Sequence, residues 1–333
     1  MIKNILKKIK ENFKILITFI IIFILFTMPL SYYIETPGGI IDASKRFSIE
    51  DSYKIKGTYN LAYVGQLRAT IPLLIYSKIN KDWEVLPKEE VVLDNENYNE
   101  AEFRDHLMLE EANNNAIKVA YNKASKKYVI EKNDLYVTYV DELAETNIKI
   151  KDQIINIDGK NIKEKSEIND YIQSKKVGDK LKIKVKNDSK YYYRYAKVIE
   201  YENKKMMGII ITEKQKIKTD PKIKIKFKNS ESGASGGLMM SLSIYDSLIK
   251  EDLTKGLKIA GTGTIDQDGN VGKIDGVKYK VMGAVKDKAD IFLVPAGSNY
   301  KEAIKTKKEK KYKIKIIKVK TLDEAISKLK KNG

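Results

Sequence analysis

Three stretches of this chain alternate lysine with an apolar residue: Lys180-Leu181-Lys182-Ile183-Lys184-Val185-Lys186, Lys222-Ile223-Lys224-Ile225-Lys226-Phe227-Lys228 and Lys313-Ile314-Lys315-Ile316. Successive side chains of a strand point to opposite faces, so a period of two commits each stretch to a half-buried strand with its ammonium groups in water. The chain must therefore build sheets, and lysine on their outer faces discourages edge-to-edge association. The same layout accounts for much of the formal charge of +18. No nucleic-acid-binding motif accompanies that charge, so nucleic acid is not an expected partner. With 333 residues and 42% hydrophobic content there is material for two or three domains.

One segment breaks the pattern. Ile15 to Ile34 carries no charge and follows five lysines (Lys3, Lys7, Lys8, Lys10, Lys14) and one acid, Glu11. An apolar helix of that length spans roughly 30 Å of hydrocarbon. The reading is a basic cytoplasmic N-terminus over 1–14 and a retained transmembrane signal-anchor helix over 15–34, with Tyr32 and Tyr33 at the aromatic belt. That predicts a single-pass protein of the cell membrane with the bulk of the chain extracytoplasmic. The fold class expected is α+β multidomain: this helix, a mixed α/β membrane-proximal region over 35–126, and two further domains over 127–205 and 206–330.

In the first of these regions Thr36-Pro37-Gly38-Gly39 reads as a turn, and Glu100 to Ala124 as a helix that carries the single histidine, His106. The region from 127 to 205 alternates differently. Leu135 to Val140 is a strand, Gln153-Ile154-Ile155-Asn156-Ile157-Asp158-Gly159-Lys160 a strand entering an Asp-Gly turn, Ser166 to Ser174 a helix, and Lys180 to Lys186 a strand. This order, with Val177-Gly178-Asp179 before the last strand, resembles a PDZ domain of bacterial proteases. It departs at Glu145 to Asp152, where such domains usually have Ala-Gly-Leu and Pro-Gly-Asp. The resemblance implies a peptide groove between Leu135, Tyr136 and Val137 on the strand and Ile168 and Ile172 on the helix.

Farther on, Gly233-Ala234-Ser235-Gly236-Gly237 precedes apolar residues at helical spacing (Leu238, Met239, Leu242, Tyr245, Leu248). That sets Ser235 in a tight turn at a helix N-terminus, where free N–H groups and the positive end of the helix dipole favour a developing oxyanion. Taken alone the motif is weak, and Ser230, Ser232 or Ser241 compete for the role. A nucleophilic serine needs a base. Cysteine is absent, and His106 lies far from the glycine-rich turn in sequence. A lysine made neutral by burial can serve instead.

After Ser235 come a strand at Leu257 to Ile265, a hairpin turn at Asp266-Gln267-Asp268-Gly269-Asn270 and a helix from near Lys278. These pieces resemble the proteolytic domain of the Lon family, a Ser-Lys dyad peptidase with its nucleophile in Gly-Pro-Ser-Ala-Gly and its lysine closing Gly-Gly-Leu-Lys-Glu-Lys. Asp275-Gly276-Val277-Lys278-Tyr279-Lys280 stands where that second run belongs. Ala234, Gly236 and Asp275 depart from the family pattern. The resemblance implies Ser235 as nucleophile, Lys280 as general base with Lys278 the runner-up, Thr262 hydrogen bonded to Lys280, and an oxyanion hole from the N–H groups of Ala234 and Ser235. The order of segments is similar to the YlbL/SepM-like group of membrane-anchored proteases.

No nucleotide-binding loop occurs, since Gly269 to Ile274 fails the spacing, and the Asp266 to Asn270 turn lacks the glutamate of a calcium loop. The expected activity is thus an ATP-independent serine endopeptidase acting on peptides or unfolded proteins, with no cofactor and no metal. Oligomerisation is left open. The alternative is a catalytically silent binding protein that uses its PDZ domain as a scaffold.

Overall fold

The computed structural model describes residues 12–93, 95–228 and 230–331. One six-stranded sheet runs in the order Lys315–Val319, Ile291–Pro295, Lys258–Gly261, Thr58–Arg68, Tyr32–Asp42, Glu84–Pro87. The first four strands are parallel, and Tyr32–Asp42 pairs antiparallel with both of its neighbours. Parallel strands covered by helices on both faces are apolar throughout, as Ile291–Pro295 is, with every residue buried. Ile291 and Leu293 pack with Leu238, Leu242 and Ile326 on one face. Phe292 and Val294 pack with Val277, Val281 and Ala303 on the other. Helices Tyr98–Lys123, Gly237–Leu248 and Leu322–Lys331 thus cover the first face, and Val277–Lys286 and Ser298–Glu309 the second.

The second sheet takes Ile209–Asp220, Lys127–Val140, Gln153–Ile157, Lys180–Asn187 and Lys190–Lys197 in that order. Helix Lys165–Gln173 closes its core, with Ile168 and Ile172 against Leu135, Ile157 and Ile183. The lysine alternation behaves as its period requires: Leu181, Ile183 and Val185 are buried, and Lys180 and Lys182 are exposed.

Two expectations are corrected. The N-terminal helix is Phe13–Thr27, 15 residues long, or about 22 Å at the α-helical rise, short of the roughly 30 Å of hydrocarbon. Pro29 lacks an N–H and disfavours helix in the residue before it, so the uncharged run leaves the helix early. Tyr32, Tyr33 and Ile34 belong to the first sheet, where Tyr33 and Ile34 are buried. Among the described residues no helix is long and apolar enough to cross a membrane, which overturns the single-pass anchor and the membrane localisation built on it. The basic segment Met1 to Glu11 lies outside the described residues.

The second correction concerns the region 35–126, which is not a body apart from 206–330. Thr58–Arg68 pairs in parallel with Lys258–Gly261, from Thr58 beside Lys258 to Leu61 beside Gly261. The Thr36 to Gly39 segment is likewise no turn but part of the strand Tyr32–Asp42, bulged between Pro37 and Gly39. A fragment of residues 206–331 would lack half of this sheet. It is expected to show no cooperative thermal transition by circular dichroism, and a sharp melt would contradict the shared-sheet account.

Candidate active site

Helix Gly237–Leu248 is buried at every position. Ser241 and Ser247 donate their hydroxyls to the carbonyls of Gly237 and Ser243, four residues back, at 2.9 and 2.7 Å. Those serines are thereby engaged. Ser235 sits in the turn before the helix, half-buried. The turn lies close against Ile265: a Cβ on Gly237 would fall 2.9 Å from the Ile265 nitrogen, which only glycine permits.

Two bonds fix the turn through the Ser235 carbonyl. Thr262 Oγ1 donates to it at 3.1 Å and the Gly263 N–H at 2.8 Å. Thr262 therefore holds the turn of Ser235, rather than bonding Lys280. The N–H groups of Ala234 and Ser235 have no acceptor among the described residues, and free donors at the head of a buried helix are what an oxyanion needs.

Lys280 arrives from the other face of the sheet. Its helix, Val277–Lys286, lies so close to the strand Tyr32–Asp42 that a Cβ on Gly283 would stand 2.9 Å from the Gly39 nitrogen. Glycines on both sides allow that approach. Lys280 is 4% exposed, and its ammonium forms no hydrogen bond or ion pair with a described residue. Burial lowers its pKa to about 8, against the opposing pull of Asp275, Glu35 and Glu302. Burial also raises Glu35, helped by Glu84. Lys278, in contrast, is half-buried with its ammonium 4.9 Å from the centre of the Tyr279 ring.

Ser235 and Lys280 line one cavity of about 640 Å³. Part of its wall comes from Leu61 to Val64 and from Leu109, Ala112 and Asn113, residues that no local motif marks because the long-range sheet pairing brings them here. The segment carrying Ser230, Ser232 and Gly233 forms the rim. It is tied down by the Arg46–Glu231 ion pair and by the Gly233 N–H on the Asp105 carbonyl at 3.0 Å. His106 does not line this cavity and lies 3.8 Å from Glu102.

The five groove residues fare differently. Leu135, Val137, Ile168 and Ile172 are buried in the domain core, and Tyr136 is half-buried with its ring edge-on to Phe103. Their strand is interior, hydrogen bonded to Ile209–Asp220 on one side and to Gln153 and Ile154 on the other. The edges of the sheet are Ile209–Asp220, next to this strand, and Lys190–Lys197 on the far side. Helix Lys165–Gln173 is tied to Ile209–Asp220 at one end, by the Lys165 N–H on Glu213, and at the other to the separate strand Lys204–Met206, by the Gln173 amide on the Lys205 carbonyl.

Comparison with known proteins finds two domain models along the chain. The PDZ domain model matches residues 110–192, and the Lon protease (S16) C-terminal proteolytic domain model matches residues 203–331. The chain contains both domains. Similar solved structures include the PDZ domain of an SdrC-like protein from Listeria monocytogenes, at 32% identity over 23% of this chain and 85% of that one, TM-score 0.22. The second domain of another Listeria protein matches at 33% identity over 25% and 87%, TM-score 0.22. A protein from Geobacillus thermodenitrificans matches at 22% identity over 23% and 94%, TM-score 0.21. No curated protein matches the chain.

The buried amine has a stability consequence. Lys280 binds its proton more weakly folded, at about 8, than at its ordinary value of 10.5, so the unfolded state holds more protons between those limits and stability rises with pH across them. Lys280→Met is expected to raise the thermal midpoint at pH 7, with the gain shrinking from pH 8 towards pH 10.5. An unchanged or lower midpoint at pH 7 would contradict the buried charge.

Proposed function

We propose that this chain is an ATP-independent serine endopeptidase that cleaves peptides or unfolded proteins with Ser235 and Lys280 as a catalytic dyad. The observation that supports the reading is the shared cavity, lined both by a serine at the head of a buried helix and by a lysine that has a lowered pKa and no counter-ion among the described residues. In this reading Ser235 Oγ attacks the substrate carbonyl and gives its proton to the neutral Lys280 amine. The N–H groups of Ala234 and Ser235 hold the oxyanion. The tetrahedral intermediate collapses, Lys280 returns the proton to the departing amine, and a water activated by Lys280 then hydrolyses the acyl-enzyme.

Because only the neutral amine accepts a proton, kcat/KM on unfolded casein should rise with pH and level off above about 8. Ser235→Ala and Lys280→Ala are expected to lower the rate by about a thousand-fold or more. Wild-type rates in both variants would leave the chain as a binding protein.

The PDZ domain fits a recruiting role in which an extended ligand adds to the outer edge of Ile209–Asp220 near Ile210, away from Gln215 where helix Tyr98–Lys123 is bonded to the strand. Ile210, 52% exposed, lies on that strand. Ile210→Glu is expected to raise KM for casein and leave cleavage of a short peptide unchanged. Equal effects on both substrates would remove the PDZ domain from substrate capture.

A further inference from the structure

Helix Tyr98–Lys123 presents His106, Leu109, Glu110 and Asn113 at the three- and four-residue spacings that share one face. Leu109, Asn113, Phe227 and Lys228 line both the catalytic cavity and a neighbouring cavity of about 500 Å³. The two spaces therefore lie side by side, the one holding Ser235 and the other lined by this helix and the segment Ile225 to Lys228.

Asn113 stands at the junction. It is 6% exposed, yet its carboxamide hydrogen bonds to no described residue. Its sequence neighbours do otherwise: Asn114 Nδ2 donates to the Gln215 carbonyl at 3.0 Å and Asn115 Nδ2 to the Ile265 carbonyl at 3.3 Å. Its amide atoms are not sealed from solvent, so they are open to a ligand with a matching donor and acceptor in the cavity that the residue lines. A peptide group offers both. The walls add an apolar component. Leu61 lies against Gly236, where a Cβ would fall 2.8 Å from its Cδ2, and Met240 follows one helical turn later.

We infer that Asn113 is a substrate-binding residue, pairing with a main-chain peptide group of an extended substrate whose apolar side chain packs on Leu61, Leu109 and Met240 beside Ser235. The inference rests on the peptidase reading above. It gives helix Tyr98–Lys123, which lies outside the matched proteolytic domain, a direct part in choosing what is cut.

The test uses the full chain and unfolded casein, with cut sites read by mass spectrometry. Asn113→Ala is expected to lower kcat/KM by about ten-fold, the scale of one buried hydrogen bond. The pH midpoint near 8 should stay unchanged, since Lys280 is untouched. Thermal stability should hold or rise, because the free protein loses no bond. Cut sites in the wild type should carry an apolar residue beside the cleaved bond. Asn113→Ser gives a second, milder reading if the alanine variant folds poorly.

Wild-type kcat/KM in a folded Asn113 variant while Ser235→Ala is dead would overturn this inference alone, as would cut sites dominated by charged residues. Activity surviving Ser235→Ala would overturn the peptidase reading and this inference with it. A drop in melting temperature with kcat/KM per folded molecule unchanged would assign Asn113 a structural role and reject the proposal.

Discussion

The parallel pairing of Thr58–Arg68 with Lys258–Gly261 joins segments from the two ends of the chain, and both halves of the candidate site hang from it. On one side of this seam Leu61 packs beside the turn of Ser235. On the other, the strand Tyr32–Asp42 offers Gly39 to the helix of Lys280. Without the seam the serine would keep its turn and the lysine its helix, but nothing would bury the amine or close a cavity around the two.

Burial of that amine is the energetic counterweight to packing. An isolated ammonium is costly in a protein interior, and this one has no counter-ion in contact among the described residues, only carboxylates acting through space. The helix can hold Lys280 there because it is docked through Val277 and Val281 and because the glycine approach leaves no slack. A stable apolar scaffold thus sustains one unfavourable group where chemistry can use it.

Much of this was legible in the sequence, for physical reasons. Local periodicity revealed the strand Lys180–Asn187, helix Lys165–Gln173 and the helix after Ser235, because each has one solvated or one buried face. Ser235 and Lys280 were singled out together by the resemblance to the Lon proteolytic domain, not by local pattern, and both line one cavity. Long-range pairing left no such mark. The uncharged run looked long enough to span a bilayer because hydropathy does not distinguish an apolar helix from the buried strand that follows Pro29. Leu135 to Val140 has the alternation of a groove strand, yet whether a strand is interior or edge depends on which partner lies beside it. Asn113 was hidden among three consecutive asparagines, and only their hydrogen bonds tell them apart.

The order of strands also has a meaning for how the molecule comes into being. A nascent chain emerging from the ribosome delivers Thr58–Arg68 early, then the whole second sheet, and only much later the strand that must lie beside it. Until Lys258–Gly261 is out, the serine and lysine have no common enclosure. A chain wired in this way acquires the cavity around Ser235 only once this later strand has paired with the earlier one.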